Sequence, residues 1–328
     1  MTPRILFVHN GRERFVLDDL ALLSQEHTVT DWHQPGRRFH LGRLMRLVPS
    51  HDLVFCWFAS WHALAPVLLA KALGRPSVVV VGGYDTANLP DAGYGAQRGG
   101  LPRWVARTVI RQATRLIVNS QAAGQEAIAN AGADPAKIHV IYHGVHPMPM
   151  GPAQRESIAL TVGNVWEENL LRKGLLPFVQ AAVHLPQVRF VLVGRWCDGS
   201  IHRLQRMATP NVTFTGFVSD KELADWYARA SVYVQASLHE GFGLSVAEAM
   251  TAGCIPVVSR AGALPEVVGK VGGYVDSLQP SRFARSVAEA LPAACPERRR
   301  LCRERILRCF PMDRRREQLM ELVRLVVR

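Results

Sequence analysis

Short apolar runs alternate along this chain with stretches whose apolar residues recur at helical spacing. The runs at 4–8, 28–30, 53–57, 77–81, 116–120 and 138–142 predict one set of buried strands, and those at 158–162, 188–193, 212–215, 232–236 and 255–258 a second set. Helical spacing at 15–23, 62–73, 101–113, 121–131 and 220–230 predicts connecting helices, and another helix begins at Pro265. Strands that alternate with helices in this way belong to parallel sheets covered on both faces. Pro35-Gly-Arg-Arg38 and Gly42-Arg-Leu-Met-Arg46 read as a basic loop and a short helix, and 88–100 as a long Gly- and Pro-rich loop without structure of its own. Pro147-Met-Pro-Met-Gly-Pro152 can continue neither sheet nor helix and reads as a linker between domains of 1–149 and 150–311. The last residues, 281–328, are helical in pattern, with breaks at Cys295-Pro296 and Phe310-Pro311.

One stretch stands out, Leu238-His-Glu-Gly-Phe-Gly-Leu-Ser-Val-Ala-Glu-Ala-Met250. It follows a buried strand and opens a helix, with Gly241 and Gly243 able to make a tight turn around Phe242. In an open parallel sheet the carboxyl end of a strand is where ligands bind, and the free amides of a helix start at Leu244 and Ser245 suit a phosphate. Glu240 and Glu248 would both face such a ligand. Ser245-x-x-Glu248 also fits a capping box, in which Ser245 caps the helix and Glu248 only bonds the Ser245 amide.

Composition narrows the field. The chain has 328 residues, 48% hydrophobic and 20% charged, enough for two cores. No signal-peptide pattern opens it and no apolar run is long enough to span a bilayer, so the expectation is a cytoplasmic protein. Six cysteines form no C-x-x-C pair; Cys295, Cys302 and Cys309 recur at heptad spacing, which suggests packing along one helix rather than metal ligation, and no metal is expected. The net charge of +12 comes almost wholly from arginine. Residues 297–328 carry eleven arginines against five acids, half of that excess. Arg103, Arg107, Arg111 and Arg115 would form one helix stripe, either a solvated face or a surface for anionic lipid at the inner face of a membrane or for an anionic acceptor. No nucleic-acid module accompanies the charge, so nucleic acid is not expected as a partner.

Glu240-x7-Glu248, with the following Gly-Cys-Ile-Pro-Val-Val strand and Ala261-Gly-Ala-Leu-Pro-Glu-Val-Val268, resembles the signature of the retaining nucleotide-sugar glycosyltransferases of family four. Val162-Gly163, Arg172-Lys173-Gly174, Leu192-Val-Gly194 and Phe214-Thr-Gly216 extend the likeness over 160–280. The resemblance implies a GT-B fold, two Rossmann-like doubly wound α/β domains facing a cleft, with 312–328 crossing back to the first. It implies transfer of a sugar from a nucleotide diphospho-sugar, held by the second domain, to an acceptor glycan, lipid or small aglycone held by the first, with retention and without a metal or other cofactor. Glu240 would contact the transferred sugar, Glu248 the ribose, Lys173 and Arg172 the diphosphate, and Gly216-Phe217-Val218 the base. Gly11, in the first loop, would let the backbone approach the donor.

Three departures qualify this. Tyr84 stands where many members carry histidine, which leaves Asp85 as the polar contact of that loop and a candidate catalytic group. Asn164 stands where many have a phosphate-binding arginine. His143-Gly-Val-His146 replaces Asn-Gly-Val-Asp. Tyr84 and Asn164 keep a non-catalytic nucleotide-sugar-binding protein open as an alternative; a second is a nucleotide-sugar epimerase on the same fold, against which Glu240-x7-Glu248 counts.

Overall fold

The computed structural model describes residues 2–36 and 40–327; Arg37 and Arg38 of the expected basic loop lie outside the described residues. The chain divides into two compact units, Met1–Gly144 with Met312–Arg328, and Val145–Pro311. The first contains β1 (Arg4–His9), α1 (Arg14–Glu26), β2 (Thr28–His33), α2 (Leu41–Leu47), β3 (Leu53–Trp57), α3 (Trp61–Ala72), β4 (Ser77–Val81), α4 (Gly100–Gln112), β5 (Arg115–Val118), α5 (Gln121–Glu126) and β6 (Ile138–Val140). Its strands run parallel in the order β2-β1-β3-β4-β5-β6. The central strands β3 and β4 are buried at every position, and apolar at all but Ser77, because helices cover both faces. Leu6, Val8, Val54 and Val79 pack under α2, α3 and α4, while Ile5, Phe7, Phe55 and Val80 face α1 and the last helix.

The second unit contains β7 (Glu156–Val162), α6 (Glu167–Arg172), α7 (Leu175–Ala181), β8 (Arg189–Val193), α8 (Ile201–Met207), β9 (Val212–Gly216), α9 (Asp220–Arg229), β10 (Ala230–Gln235), α10 (Leu244–Thr251), β11 (Ile255–Ser259), α11 (Leu264–Val268), β12 (Gly273–Val275), α12 (Pro280–Ala290) and α13 (Pro296–Cys309). Its strands are also parallel, in the order β12-β11-β10-β7-β8-β9. The chain returns to the first unit as α14 (Met312–Val326).

Four expectations need correction. Arg115 is the first residue of β5, since α4 stops at Gln112, so the four arginines do not share a helix. Arg107 is also turned inward, donating to Gln97 Oε1 at 3.0 Å and to the Asn130 carbonyl at 2.6 Å. The 88–100 loop is ordered by an antiparallel bridge between Leu89 and Tyr94 and a short 3-10 turn at Ala96–Arg98. The cysteine stripe is uneven: Cys302 is buried, but Cys295 precedes α13 and is exposed.

The expected linker is bonded to the second unit. The Met148 amide donates to Thr251 Oγ1 at 2.9 Å, and Arg299 and Arg303 reach the carbonyls of Pro152 and Met148 at 3.2 and 2.7 Å. Arg305 likewise donates to Val267 and Glu266 carbonyls at 2.7 and 2.6 Å, at the end of α11. Much of the tail's charge therefore satisfies backbone carbonyls, a use that the guanidinium fork suits.

α14 is held to the first unit by a buried ion pair. Arg315 forks onto Asp19 of α1 with Nε–Oδ1 and Nη2–Oδ2 at 2.6 and 2.7 Å, and both side chains are at most 2% exposed. Asp19 also accepts from Trp57 Nε1 at 3.0 Å, and Arg315 Nη1 from the other side donates to the Ile141 and Tyr142 carbonyls. Removing one partner leaves a buried charge without compensation. Asp19→Ala is expected to destabilise the first unit by roughly 3–5 kcal/mol in urea unfolding, whereas Asp19→Leu/Arg315→Met together should cost much less than either single change.

Candidate functional site

Each unit gathers its polar loops at the carboxyl ends of its strands. In the second unit the key contact begins with Gly174. It lies between α6 and α7 at φ +70°, and a Cβ there would come within 2.4 Å of the Ala236 carbonyl oxygen. The Leu238 amide donates to the Arg172 carbonyl at 2.8 Å. The α6–α7 junction is thereby seated on the end of β10, which sets Lys173 Nζ 2.9 Å from Glu240 Oε2.

Glu240 is fixed from several sides. Gln235 Nε2 and Ser237 Oγ donate to its Oε2 at 2.8 and 3.3 Å. The Ala263 amide donates to its carbonyl at 3.0 Å. Gly262, at φ +52°, lets the two loops meet, since a Cβ there would lie 2.2 Å from that carbonyl. Burial would raise the Glu240 carboxyl, but the charges of Lys173 and Arg172 and the Lys173 hydrogen bond outweigh it and hold it below its ordinary value.

α10 opens beside this pair, and two expectations about it change. Gly243, in the left-handed region at φ +100°, is the N-cap, so Ser245 is not a cap and the capping box does not form. Glu248 is one turn further in; its Oε2 accepts from Tyr227 OH at 3.3 Å. Ser245 instead hydrogen-bonds the Tyr233 phenol, Tyr233 OH donates to Gln235 Oε1 at 3.0 Å, and Gln235 continues to Glu240. A buried network thus runs under the helix start from Ser245 to Lys173. Phe242 is packed inward, edge-on to Phe310 at 5.2 Å, so Gly241, Gly243 and Leu244 contribute backbone but Phe242 contributes core.

The other second-unit candidates lie around the ends of β7, β8 and β9. Asn164 is exposed, and its Oδ1 accepts from the Arg195 amide at 3.2 Å. Arg172 is buried, with Nε and Nη2 both on Asn169 Oδ1 at 3.0 and 2.6 Å, which turns its guanidinium toward the scaffold; its charge still acts on Glu240. Gly216 ends β9, and Val218 follows Phe217 before α9. Phe217 is 70% exposed, with the Arg195 guanidinium 5.0 Å from its ring centroid, and Trp196 is exposed nearby. Sequence reading missed Gln235, Tyr233, Gly262 and Trp196. Gln235 carried a usable signal, a polar residue inside an otherwise apolar strand.

In the first unit Gly11 accepts from His9 Nδ1, and His9 Nε2 lies 2.7 Å from Asp31 Oδ1. The Glu13 carboxylate fills the space over Gly11. Asp85 does not present its carboxylate to a ligand. It is 2% exposed and accepts from the amides of Gly82, Gly83 and Ala59 at 3.1, 3.0 and 2.9 Å. Burial raises its carboxyl, against the lowering effect of these amides. Asp85 is thus a brace between the ends of β3 and β4, beside Phe58, which holds a left-handed φ of +68°. His62 is equally internal, its Nε2 donating to the Trp57 carbonyl at 2.6 Å. His143 is buried and stacked on Trp57 at 5.8 Å, so that departure from the family pattern belongs to the core.

Two doubly wound units with a lysine–carboxylate pair at a helix start define a GT-B fold. Solved structures agree. The chain matches HepE of Anabaena in complex with UDP and glucose at TM-score 0.76 and 17% identity, over 98% of this chain and 99% of that one. It matches sucrose-phosphate synthase of Thermosynechococcus elongatus at TM-score 0.76 and 20% identity, over 99% of each. Family models match on both units, Glycosyltransferase Family 4 over 11–148 and Glycosyl transferases group 1 over 156–292. The chain belongs to the family 4 glycosyltransferases. D-inositol 3-phosphate glycosyltransferase of Mycolicibacterium smegmatis is 28% identical over 207 residues, 57% of this chain and 48% of that protein. Its counterpart in Mycobacterium tuberculosis is 28% identical over 201 residues, 56% of this chain and 42% of that protein. The chain spans about half the length of the curated relatives it matches.

Two consequences can be measured. Gly262→Ala is expected to lower stability by roughly 1–3 kcal/mol and to loosen Glu240, read as a lower melting temperature. Burial lowers the His62 imidazole from 6.5 to about 4. The unfolded chain then binds a proton that the folded one refuses between those values, so stability falls as pH drops from 6.5 toward 4. The loss from His62 is up to about 3 kcal/mol. Urea midpoints at pH 7 and pH 5 should show the drop, and His62→Asn should reduce it.

Proposed function

We propose that this protein transfers a hexosyl group from a nucleotide diphospho-sugar to an acceptor hydroxyl, with retention of configuration and without a metal ion. The observation that carries the reading is the Lys173–Glu240 contact of 2.9 Å beside the start of α10. Lys173 and the first amides of α10, at Leu244 and Ser245, would hold the donor diphosphate. Glu240, kept ionised by Lys173 and Arg172, would accept hydrogen bonds from hydroxyls of the sugar. Glu248 would bind the ribose, and the ring of Phe217, with the backbone of Gly216 and Val218, would face the base.

In this mechanism the bond between C1 of the sugar and the diphosphate oxygen breaks, and its electron pair leaves with the phosphate. The acceptor oxygen bonds to C1 from the same face, and its proton passes to the departing phosphate oxygen. The protein's part is to stabilise charge that grows on the leaving group, using groups fixed before the reaction. Arg172 acts through Glu240, and Asp85 positions the β3 and β4 loops of the first unit, which would receive the acceptor glycan, lipid or small aglycone.

The fold neighbours that hold UDP or UDP-glucose make a UDP-sugar the first donor to try. A thermal-shift series with UDP-, GDP- and ADP-sugars should raise the melting temperature for one nucleotide. Lys173→Ala and Glu248→Ala should each weaken that binding by about 10- to 100-fold, the loss of a hydrogen bond to a charged group. Shifts unchanged in both variants would sink the residue assignment. Tight binding with neither transfer nor slow donor hydrolysis would make the protein a binder instead.

A further inference from the structure

Three of the helices on one side of the first unit share an unusual composition; α5 on the same face ends in Glu126, whose Oε2 accepts from Thr86 Oγ1 at 3.1 Å. α2, α3 and α4 contain no aspartate or glutamate, yet carry Arg43, Arg46, Lys71, Arg103, Arg107 and Arg111. They form one layer: α3 packs against both α2 and α4, and all three cover the same face of the sheet. The opposite face has acids on both of its helices, Asp18, Asp19 and Glu26 on α1 and Asp313, Glu317 and Glu321 on α14.

Large apolar side chains stand out from the same acid-free layer. Leu41 and Met45, one turn apart on α2, are 61% and 57% exposed. Leu101 and Trp104, on the first turn of α4, are 64% and 56% exposed. Arg43 lies between the first pair in sequence and Arg46 follows it, Arg103 lies between the second, and all three are exposed; the Arg43 guanidinium also lies 5.2 Å from the Trp32 ring centroid. Arg111 lies two turns beyond Trp104 on the same outward side.

We infer that the α2–α3–α4 layer docks on an anionic lipid surface. Neither ingredient suffices alone. Scattered exposed leucines are ordinary, and a basic face is ordinarily just solvated. Here they coincide on short helices without a single acid to repel lipid phosphates. Tryptophan, leucine and methionine among arginines suit the headgroup boundary, where apolar groups sink below the phosphates and guanidinium groups stay level with them. Nucleic acid would use the cations but leave Leu41, Met45 and Leu101 in water. The inference concerns the first unit's surface and stands whichever donor the second unit takes.

Vesicle flotation tests it. The full chain should float with equimolar phosphatidylcholine–phosphatidylglycerol vesicles, fail to float with phosphatidylcholine alone, and be largely released at about 0.5 M salt. Arg43→Gln/Arg103→Gln should weaken binding roughly fivefold for each cation removed, the Boltzmann factor of one basic side chain's attraction to an anionic bilayer. Met45→Ser/Trp104→Ser should weaken it at unchanged charge. Leu325→Ser, which removes an exposed leucine from α14, should leave it unchanged. No flotation with the anionic vesicles, or equal flotation of both double variants and the parent, would overturn the inference. Tighter binding to duplex DNA than to the vesicles would overturn it in favour of a nucleic-acid surface.

Discussion

The ion pair between Asp19 and Arg315 joins residues far apart in sequence at a point where no water reaches. Two buried charges are tolerable only if their remaining hydrogen-bonding capacity is also met. Trp57 meets one Asp19 oxygen, and the carbonyls of Ile141 and Tyr142 meet the free edge of the guanidinium. That requirement fixes α14 against α1 and against the chain just after β6. It also shapes what lies beside it: burial, reinforced by the Arg315 charge, keeps His143 well below its ordinary value, so a neutral ring stacks on Trp57.

The second unit solves a related problem with a half-buried pair. Lys173–Glu240 is held by backbone approaches that only glycine allows, Gly174 against Ala236 and Gly262 against Glu240. The carboxylate is further tied through Gln235, Tyr233 and Ser245 to the start of α10. Groups that must stabilise charge in a reaction are most effective when already oriented. Such a network supplies orientation, because Glu240 cannot swing away without leaving Gln235 and Ser237 short of a partner.

How much of this was legible follows from what sequence patterns report. The strands were readable because burial on both faces demands unbroken apolar runs, and the organising glutamate stretch was readable through its match to the family pattern rather than through glycine and acid at a strand end, which Gly82-Gly83 and Asp85 also supply. Partners of polar side chains were not readable. Ser245-x-x-Glu248 satisfies a capping-box pattern, yet Gly243 took the cap position and shifted both residues inward. Asp85 at a strand end looked like a ligand group, but three amides converge on it. The spacing of Arg103, Arg107, Arg111 and Arg115 continues past the helix end that the apolar pattern itself placed at 113, so charge spacing alone did not report a shared helix.

Arginine shows the limit most clearly. Counted along the sequence, the C-terminal cluster is the most basic part of the chain, and a reading by charge would send it to an anionic partner. In the fold, Arg299, Arg303 and Arg305 each reach carbonyls that strands and helix ends leave open. The guanidinium can do this because it offers five donors in a rigid plane, so one side chain closes two backbone gaps at once. Arg43, Arg46, Arg103 and Arg111 are fewer, yet they stand in the solvent-facing layer. Local charge density therefore does not locate an electrostatic surface; what locates it is which cations the backbone has left unoccupied.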